Sequence, residues 1–196
     1  LSLRIKALER ALNILHEFRL VGCVQTQYPH ADTSGINSYE GGNFATNSNN
    51  RFMIRRGRIR LSYEHYTLKK IKLISAVFQI DATDRGVVVK DFSGRITDPW
   101  LGWFSVQGGI FLRPFGYETP VSTATLESPD LARMNQTLMP GESEIGADLI
   151  IESPRSFKPQ YIRTDAALVN GIGLSTNGII GDNDKRKDFI GSIDRK

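Results

Sequence analysis

Hydrophobic positions recur along this chain with two different periods. Over residues 1–16 they fall at Leu1, Ile5, Leu8, Leu12 and Leu15, in steps of four and three. That spacing puts one stripe along a helix, either a short coiled-coil seam or an amphipathic helix laid on the rest of the chain. Ala7 and Ala11 favour the helix, and no glycine or proline interrupts it. From Phe18 onward the period changes to two, which predicts strands. Eight are expected, over about 18–28, 52–65, 72–83, 87–97, 103–113, 144–152, 161–170 and 188–196.

The second of these carries the most information. It reads Arg51-Phe-Met-Ile-Arg-Arg-Gly-Arg-Ile-Arg-Leu-Ser-Tyr-Glu64. Ile59, Leu61 and Tyr63 project to one side; Arg56, Arg58, Arg60 and Ser62 project to the other. Arg51 and Arg55 fall off that face and are expected at the mouth of the sheet. Like charges in a row repel unless water, anions or acids surround them. The strand over 72–83 repeats the division, with Ile74, Ala76, Phe78, Ile80 and Ala82 opposite Ser75, Gln79, Asp81 and Thr83. The strand over 87–97 alternates poorly, because Val87-Val88-Val89 is apolar on both sides.

Strand and loop lengths narrow the choice of architecture. Several strands approach the ~9–11 residues that cross a bilayer, against ~5–6 in an ordinary globular strand. Connections after odd strands are mostly long (29–50, 114–142, 171–187), and those after even strands short (66–71, 98–102, 153–160). Membrane barrels have this asymmetry, with short turns on the periplasmic side. The tight Asp84-Arg-Gly86 turn is the exception. On this pattern the amino-terminal helix lies on the periplasmic side. Trp100 and Trp103 flank the start of the fifth strand beside a short turn, where a barrel carries its interfacial aromatic residues; in a soluble domain they would be core.

Composition excludes more than it selects. With 40% hydrophobic and 23% charged residues, the chain is neither disordered nor a helical membrane protein. No apolar run reaches the ~18 residues of a membrane-spanning helix, which leaves a barrel open because barrel strands alternate. The net charge of +4 fits an anionic partner and most basic proteins equally. Cys23 is the only cysteine, so no internal disulfide and no cysteine-cluster metal site can form. The chain begins at Leu1 with no signal peptide, and is read as a mature or truncated segment.

Catalytic signals are missing. His16, His30 and His65 are scattered without metal-ligand spacing. There is no nucleophile elbow, phosphate loop or dinucleotide fingerprint. Asp182-Asn-Asp184 opens like a calcium loop but lacks its glycine and final glutamate. No enzyme, metal or cofactor is expected. Three readings of the arginine row stay open: a solvated outer face of a sandwich, a nucleic-acid surface, and a pore wall that draws anions. No recognition helix or nucleic-acid module accompanies it, and acids nearly balance the bases, which counts against nucleic acid. Arginine suits phosphate-like anions because its planar fork donates paired hydrogen bonds. Asp81, Asp148 and Glu152 share the arginine parity and are expected to neutralise part of the row.

Several short motifs, in order along the chain, resemble the phosphate-selective porin O/P family. Gly109-Ile-Phe-Leu-Arg-Pro-Phe-Gly-Tyr-Glu118 is similar to its G-x-F-x-x-P-F-G-x-E signature, and Phe52-Met-Ile-Arg-Arg-Gly-Arg-Ile-Arg60 to its F-x-x-R-R-x-R strand. Val77-Phe-Gln-Ile-Asp81 and Val89-Lys-Asp91 resemble the two strands that follow. Glu127-Ser-Pro-Asp130, Arg133 and Pro140-Gly-Glu-Ser-Glu-Ile-Gly146 resemble the loop and strand after the signature. The match runs from about Phe18 to Gly191, and the loops are most similar to those of Bacteroidetes-type porins.

The resemblance implies an all-β antiparallel transmembrane β-barrel of the bacterial outer membrane, homotrimeric, passing small anionic solutes by passive diffusion. It gives residues 1–16 the role of a periplasmic coiled coil. It also brings the loop after the fifth strand into the pore, with Arg113 and Arg133 near the constriction beside the row of Arg56, Arg58 and Arg60. A porin barrel has ~16–18 strands, so residues 18–196 would be about half of one, within a longer chain. The lysine- and arginine-rich ladder of a phosphate channel is not evident, which reduces the expected activity to general diffusion with some anion preference. The competing reading is a soluble β-rich module that binds carbohydrate or another ligand through Trp100, Trp103 and the long loops.

Overall fold

The computed structural model describes residues 15–36, 44–68, 71–84, 86–115, 142–153, 162–171 and 186–195. Eight strands form: β1 (Phe18–Gln27), β2 (Met53–Tyr66), β3 (Lys72–Thr83), β4 (Gly86–Thr97), β5 (Phe104–Leu112), β6 (Ser143–Glu152), β7 (Ile162–Val169) and β8 (Asp188–Arg195). They pair as one antiparallel meander in sequence order, β1 to β8. The sheet is open: no pairing joins β1 to β8. Closure into a barrel is therefore not seen, and among the described residues β1 and β8 each pair with a strand on one side only. The expected helix lies outside the described residues except for Leu15 and His16.

Register fixes the two faces. Leu20 pairs with Leu61, Leu61 with Phe78, Phe78 with Phe92, and Phe92 with Ile110. The same face continues through Ile145, Ala147 and Leu149 of β6 to Ala166, Leu168 and Phe189. It is continuous and apolar, and apart from the buried Ile110 most of its large side chains are exposed: Leu20, Ile59, Phe78, Phe92, Ile96, Val106, Leu149, Leu168 and Phe189 all face outward. The other face holds Arg56, Asp81, Asp91, Ser93, Thr97, Ser105, Asp148 and Asp165, and all of these are buried. Burial is thus inverted relative to a water-soluble sheet, where one face packs on an apolar core.

The sheet curls toward its polar side. Arg58 on β2 lies 3.8 Å from Glu142, whose carbonyl accepts from the Arg113 N–H beside β5. On a flat sheet the backbones of β2 and β6 would stand roughly 19 Å apart, four steps of ~4.8 Å, which is further than the two side chains reach. Glycine permits the bend. Gly109 has φ +119°, and a Cβ there would stand 2.2 Å from the Phe92 carbonyl oxygen. Its register partner Gly146 is as tightly placed against the Leu168 carbonyl. A side chain at either position would force apart strands at the point of closest approach.

Three irregularities in register refine the faces. One, between Gln79 and Ile80, leaves Lys90 without a partner, since Gln79 opposes Asp91 and Ile80 opposes Val89. This bulge is why β4 alternates poorly in sequence: its residues before and after Lys90 follow opposite parities. A second lies between Gln25 and Thr26 and inserts Arg55 beside Arg56. Arg55 is half-buried there, near the long-loop end of β2. The third, at His65 and Tyr66, falls where β2 ends.

Candidate functional site: a charged concave wall

The arginine row is held by partners on its own face. Arg56 donates to the Gln25 side chain at 2.8 Å. Arg58 donates through Nε to Asp81 at 3.1 Å, and Asp81 also accepts the Gly57 N–H at 3.0 Å. Arg60 donates to the Gln79 amide oxygen at 3.0 Å and stands 3.7 Å from Asp91, across β3. Asp91 in turn accepts from Ser93, and Ser93 accepts from Gln107 on β5. The polar network thus crosses the sheet laterally, strand by strand.

These partners grade the arginines. The side chains of Arg56 and Arg58 are nearly enclosed, whereas the Arg60 side chain keeps 41% of its surface. Of the three, Arg60 has the most charge presented to the concave space.

Toward the long-loop end, two acids gather cations from three strands. Glu142 stands 3.8 Å from both Arg58 of β2 and Lys90 of β4. Two residues on, Glu144 forms a buried ion pair with Arg113 at 2.5 Å. Glu142 and Glu144 thus link Arg113 and Arg58 in one cluster. Arg133 lies outside the described residues. Toward the other end, Arg95 donates to Ser105 and to Glu152 at 3.0 Å. On β7, Arg163 clasps Asp165 through two nitrogens, and Ser192 of β8 also donates to Asp165.

Two of the acids expected to neutralise the row do so elsewhere. Asp81 holds Arg58, as expected. Glu152 pairs with Arg95 instead, and the electrostatic neighbours of Asp148 are Asp165 and Arg163. Sequence reasoning missed Lys90, Asp91, Glu142 and Glu144. Parity with Arg95 and Thr97 could have flagged Asp91. Lys90 needed the bulge and Glu142 needed the curl, whereas Glu144 reaches Arg113 through the β5–β6 register, in which Phe111 opposes Glu144.

The concave face is not uniformly polar. Phe111, Ala167, Val169 and Ile190 form a buried apolar cluster toward the long-loop end, and Ile150 nearby is fully buried. Cys23, the single cysteine, is exposed on the concave side of β1, in register with Arg58. Among the described residues, no three of His, Cys, Asp or Glu gather as a metal ion would require. The chain matches no family model, no curated protein and no solved structure.

Proposed function

We propose that this sheet is part of the wall of an outer-membrane porin, a water-filled channel for passive diffusion of small solutes with a modest preference for anions. The observation that carries the reading is the inverted burial: a continuous exposed apolar face backed by a buried, ion-paired polar one. In water such a face would be a large sticky patch; in lipid it is the favourable outer surface of a barrel.

The dimensions agree. Aromatic residues bound the apolar face at both ends of the β1–β2 hairpin. Phe18 packs on Tyr63 at 5.0 Å between ring centroids, and Tyr28 packs on Phe52 at 4.7 Å. From residue 18 to residue 28 the strand rises roughly 34 Å at ~3.4 Å per residue, or roughly 24–26 Å when tilted ~40–45°. An outer-membrane barrel has an apolar band ~25 Å tall between its aromatic girdles.

The preference for anions is modest because acids occupy most of the arginine wall. Asp81, Asp91, Glu142 and Glu144 each stand against a cation. A phosphate-specific ladder would need guanidinium forks turned to the solute. Of Arg56, Arg58 and Arg60, Arg60 is the most exposed to a passing anion. The homotrimeric assembly, the outer-membrane location and the further strands that would close the barrel belong to the same proposal, and rest on the motif resemblance.

Cys23 supplies the test. In planar bilayers the protein should open discrete conductance steps, and a charged methanethiosulfonate reagent should shrink them by reacting at the polar wall. Cys23→Ser should conduct normally and ignore the reagent. A protein that stays monodisperse in water without detergent and opens no steps would overturn the reading.

A further inference from the structure

Ion pairing on the inner face of β6 and β7 leaves one buried acid out. Glu152 is engaged by Arg95 of β4 at 3.0 Å. Asp165 accepts from Arg163 through both of its carboxyl oxygens, at 2.7–3.0 Å, and from Ser192 of β8. Asp148 has no such arrangement. It is 3% exposed, and its Oδ1 has no hydrogen-bond partner. Arg163 acts on it only through space, with Nε and Nη2 both engaged by Asp165.

Asp148 meets another carboxyl group instead. It opposes Ala167 across the β6–β7 ladder, so Asp165, two residues along β7, is its diagonal neighbour on the same face. The two carboxyl groups stand within hydrogen-bonding reach of one another, and Asp165 is 2% exposed. Two carboxylates cannot bond in this way, because an ionised carboxyl group only accepts; one of the pair must carry a proton and donate it. Asp165, already filled by Arg163 and Ser192, is the ionised member, and Asp148 is the donor. The other surroundings add no cation. On β5 the register partner of Asp148 is the neutral Gln107. On β6, Glu144 and Glu152 are committed to Arg113 and Arg95. On β8, Ser192 and the exposed Asp194 lie opposite Asp165 and Arg163. No lysine or histidine lies on β5–β8.

We propose that Asp148 and Asp165 form a proton-binding site in the pore wall, holding one proton between them at neutral pH. This rests on the pore-wall reading and adds a control to it: proton occupancy sets one unit of charge on β6 and β7. With the proton bound, Asp148 is neutral and Asp165 is cancelled by Arg163. When the proton leaves Asp148 for the lumen water, the group keeps one uncancelled negative charge. A charge in a buried, weakly polar site is poorly screened, so its field reaches the lumen. Anion preference therefore falls as pH rises through the titration of the pair. A proton fits this site better than a metal ion does. Only two acids converge, short of the three ligating groups that a metal would need among the described residues, and the Arg163 guanidinium beside them repels a second cation.

Infrared spectroscopy of the full-length protein in an ester-free detergent reads the proton directly. At neutral pH, the difference between the wild type and Asp148→Asn should contain the C=O stretch of a neutral carboxylic acid, shifted in heavy water. The same band should be lost in Asp165→Asn, because Asp148 then ionises against the freed Arg163. A difference spectrum without the band would mean that both acids are charged; a band that survives Asp165→Asn would belong to an isolated acid. Either result overturns the shared proton. In planar bilayers, the wild-type reversal potential in a potassium chloride gradient should shift toward that of a nonselective pore as rising pH removes the band. Asp148→Asn should lack that shift. A potential that stays constant while the band disappears overturns the control. If neither variant folds, the paired titration of the wild type still decides, since band and anion preference must fall together. The two readings fail separately. An acid band in a protein that opens no conductance steps sinks the pore wall and leaves the proton site; steps without the band do the reverse.

Discussion

The first and last strands of the sheet share an outer face and differ on the inner one. On β1–β3 the concave side is a lattice of long polar chains: Arg56 on Gln25, Arg58 on Asp81, Arg60 on Gln79. On β6–β8 the same side is drier and tighter. Ile150, Ala167 and Val169 are buried there to 1% exposure or less, alongside Asp148 and Asp165. The outer faces barely differ, with Leu61 and Leu149 alike exposed beside apolar neighbours. In the pore wall we propose, one side would answer only to lipid, which asks for apolar atoms and little shape. The other side must satisfy its own charges or exclude water, and the two halves use different means.

The largest expected effect separates the inner faces. Ile150→Ala leaves a cavity in a packed site and should cost about 2–5 kcal/mol. Val21→Ala on the concave side of β1, already 44% exposed, should stay within about 0.5 kcal/mol. Equilibrium unfolding by urea in lipid vesicles measures both. Equal costs would mean that the halves do not differ in packing. The next effect should be the same in both halves: Leu61→Arg and Leu149→Arg each put a cation on the lipid face, at about 2–4 kcal/mol near the midplane and less toward either interface. If both substitutions were tolerated without loss, that face would not meet lipid.

These two predictions draw on different amounts of sequence. The outer face was legible because it depends only on parity. Ile59, Leu61 and Tyr63 on one side, and Arg56, Arg58 and Arg60 on the other, follow from a period of two once β2 is identified as a strand. Strand limits came within a few residues for the same reason. The inner face was only partly legible, because curvature decides it. No local pattern brings Glu142 on the far side of β5 to Arg58 on β2; the curl of the sheet does, whereas Glu144 meets Arg113 through the β5–β6 register. Bulges also defeat parity. Lys90 is the extra residue that interrupts the parity of β4, and Arg55 the one that interrupts β2. The expectation that Glu152 would serve the arginine row failed because Arg95, two strands away, reaches it first.

A smaller effect should appear in permeation. Arg60→Ala should move the reversal potential in a salt gradient toward that of a nonselective pore, more than Arg58→Ala does. Arg58 spends its charge on Asp81 and Glu142, whereas Arg60 has 41% of its side-chain surface open. The gap between the two variants should narrow as salt rises, since the Debye length shrinks from ~10 Å at 0.1 M to ~3 Å at 1 M. Equal shifts would mean that pairing does not grade the wall. The inner face of β1–β3 would then act as a uniform sheet of charge.

The smallest effect belongs to the short-loop end, where the two halves meet at the β4–β5 turn. There the Asp98 carboxyl is held below its ordinary range, chiefly by the Trp100 N–H and then by the N–H groups of Leu101, Gly102 and Trp103, against a smaller opposing pull from burial. The folded chain thus binds this proton less readily than the unfolded one, whose value is about 4. Its contribution to stability is complete above that value and fades as pH falls through the lower folded one. Asp98→Asn keeps an acceptor for the turn but removes the charge, so it should flatten this acid limb by lowering stability at neutral pH, while the two proteins converge in acid. The measurement is urea unfolding of both proteins from pH 7 down to about 2, across the range where free carboxyls titrate. If the two curves ran parallel throughout, the charge of Asp98 would contribute nothing, and geometry alone would hold Trp100 outward.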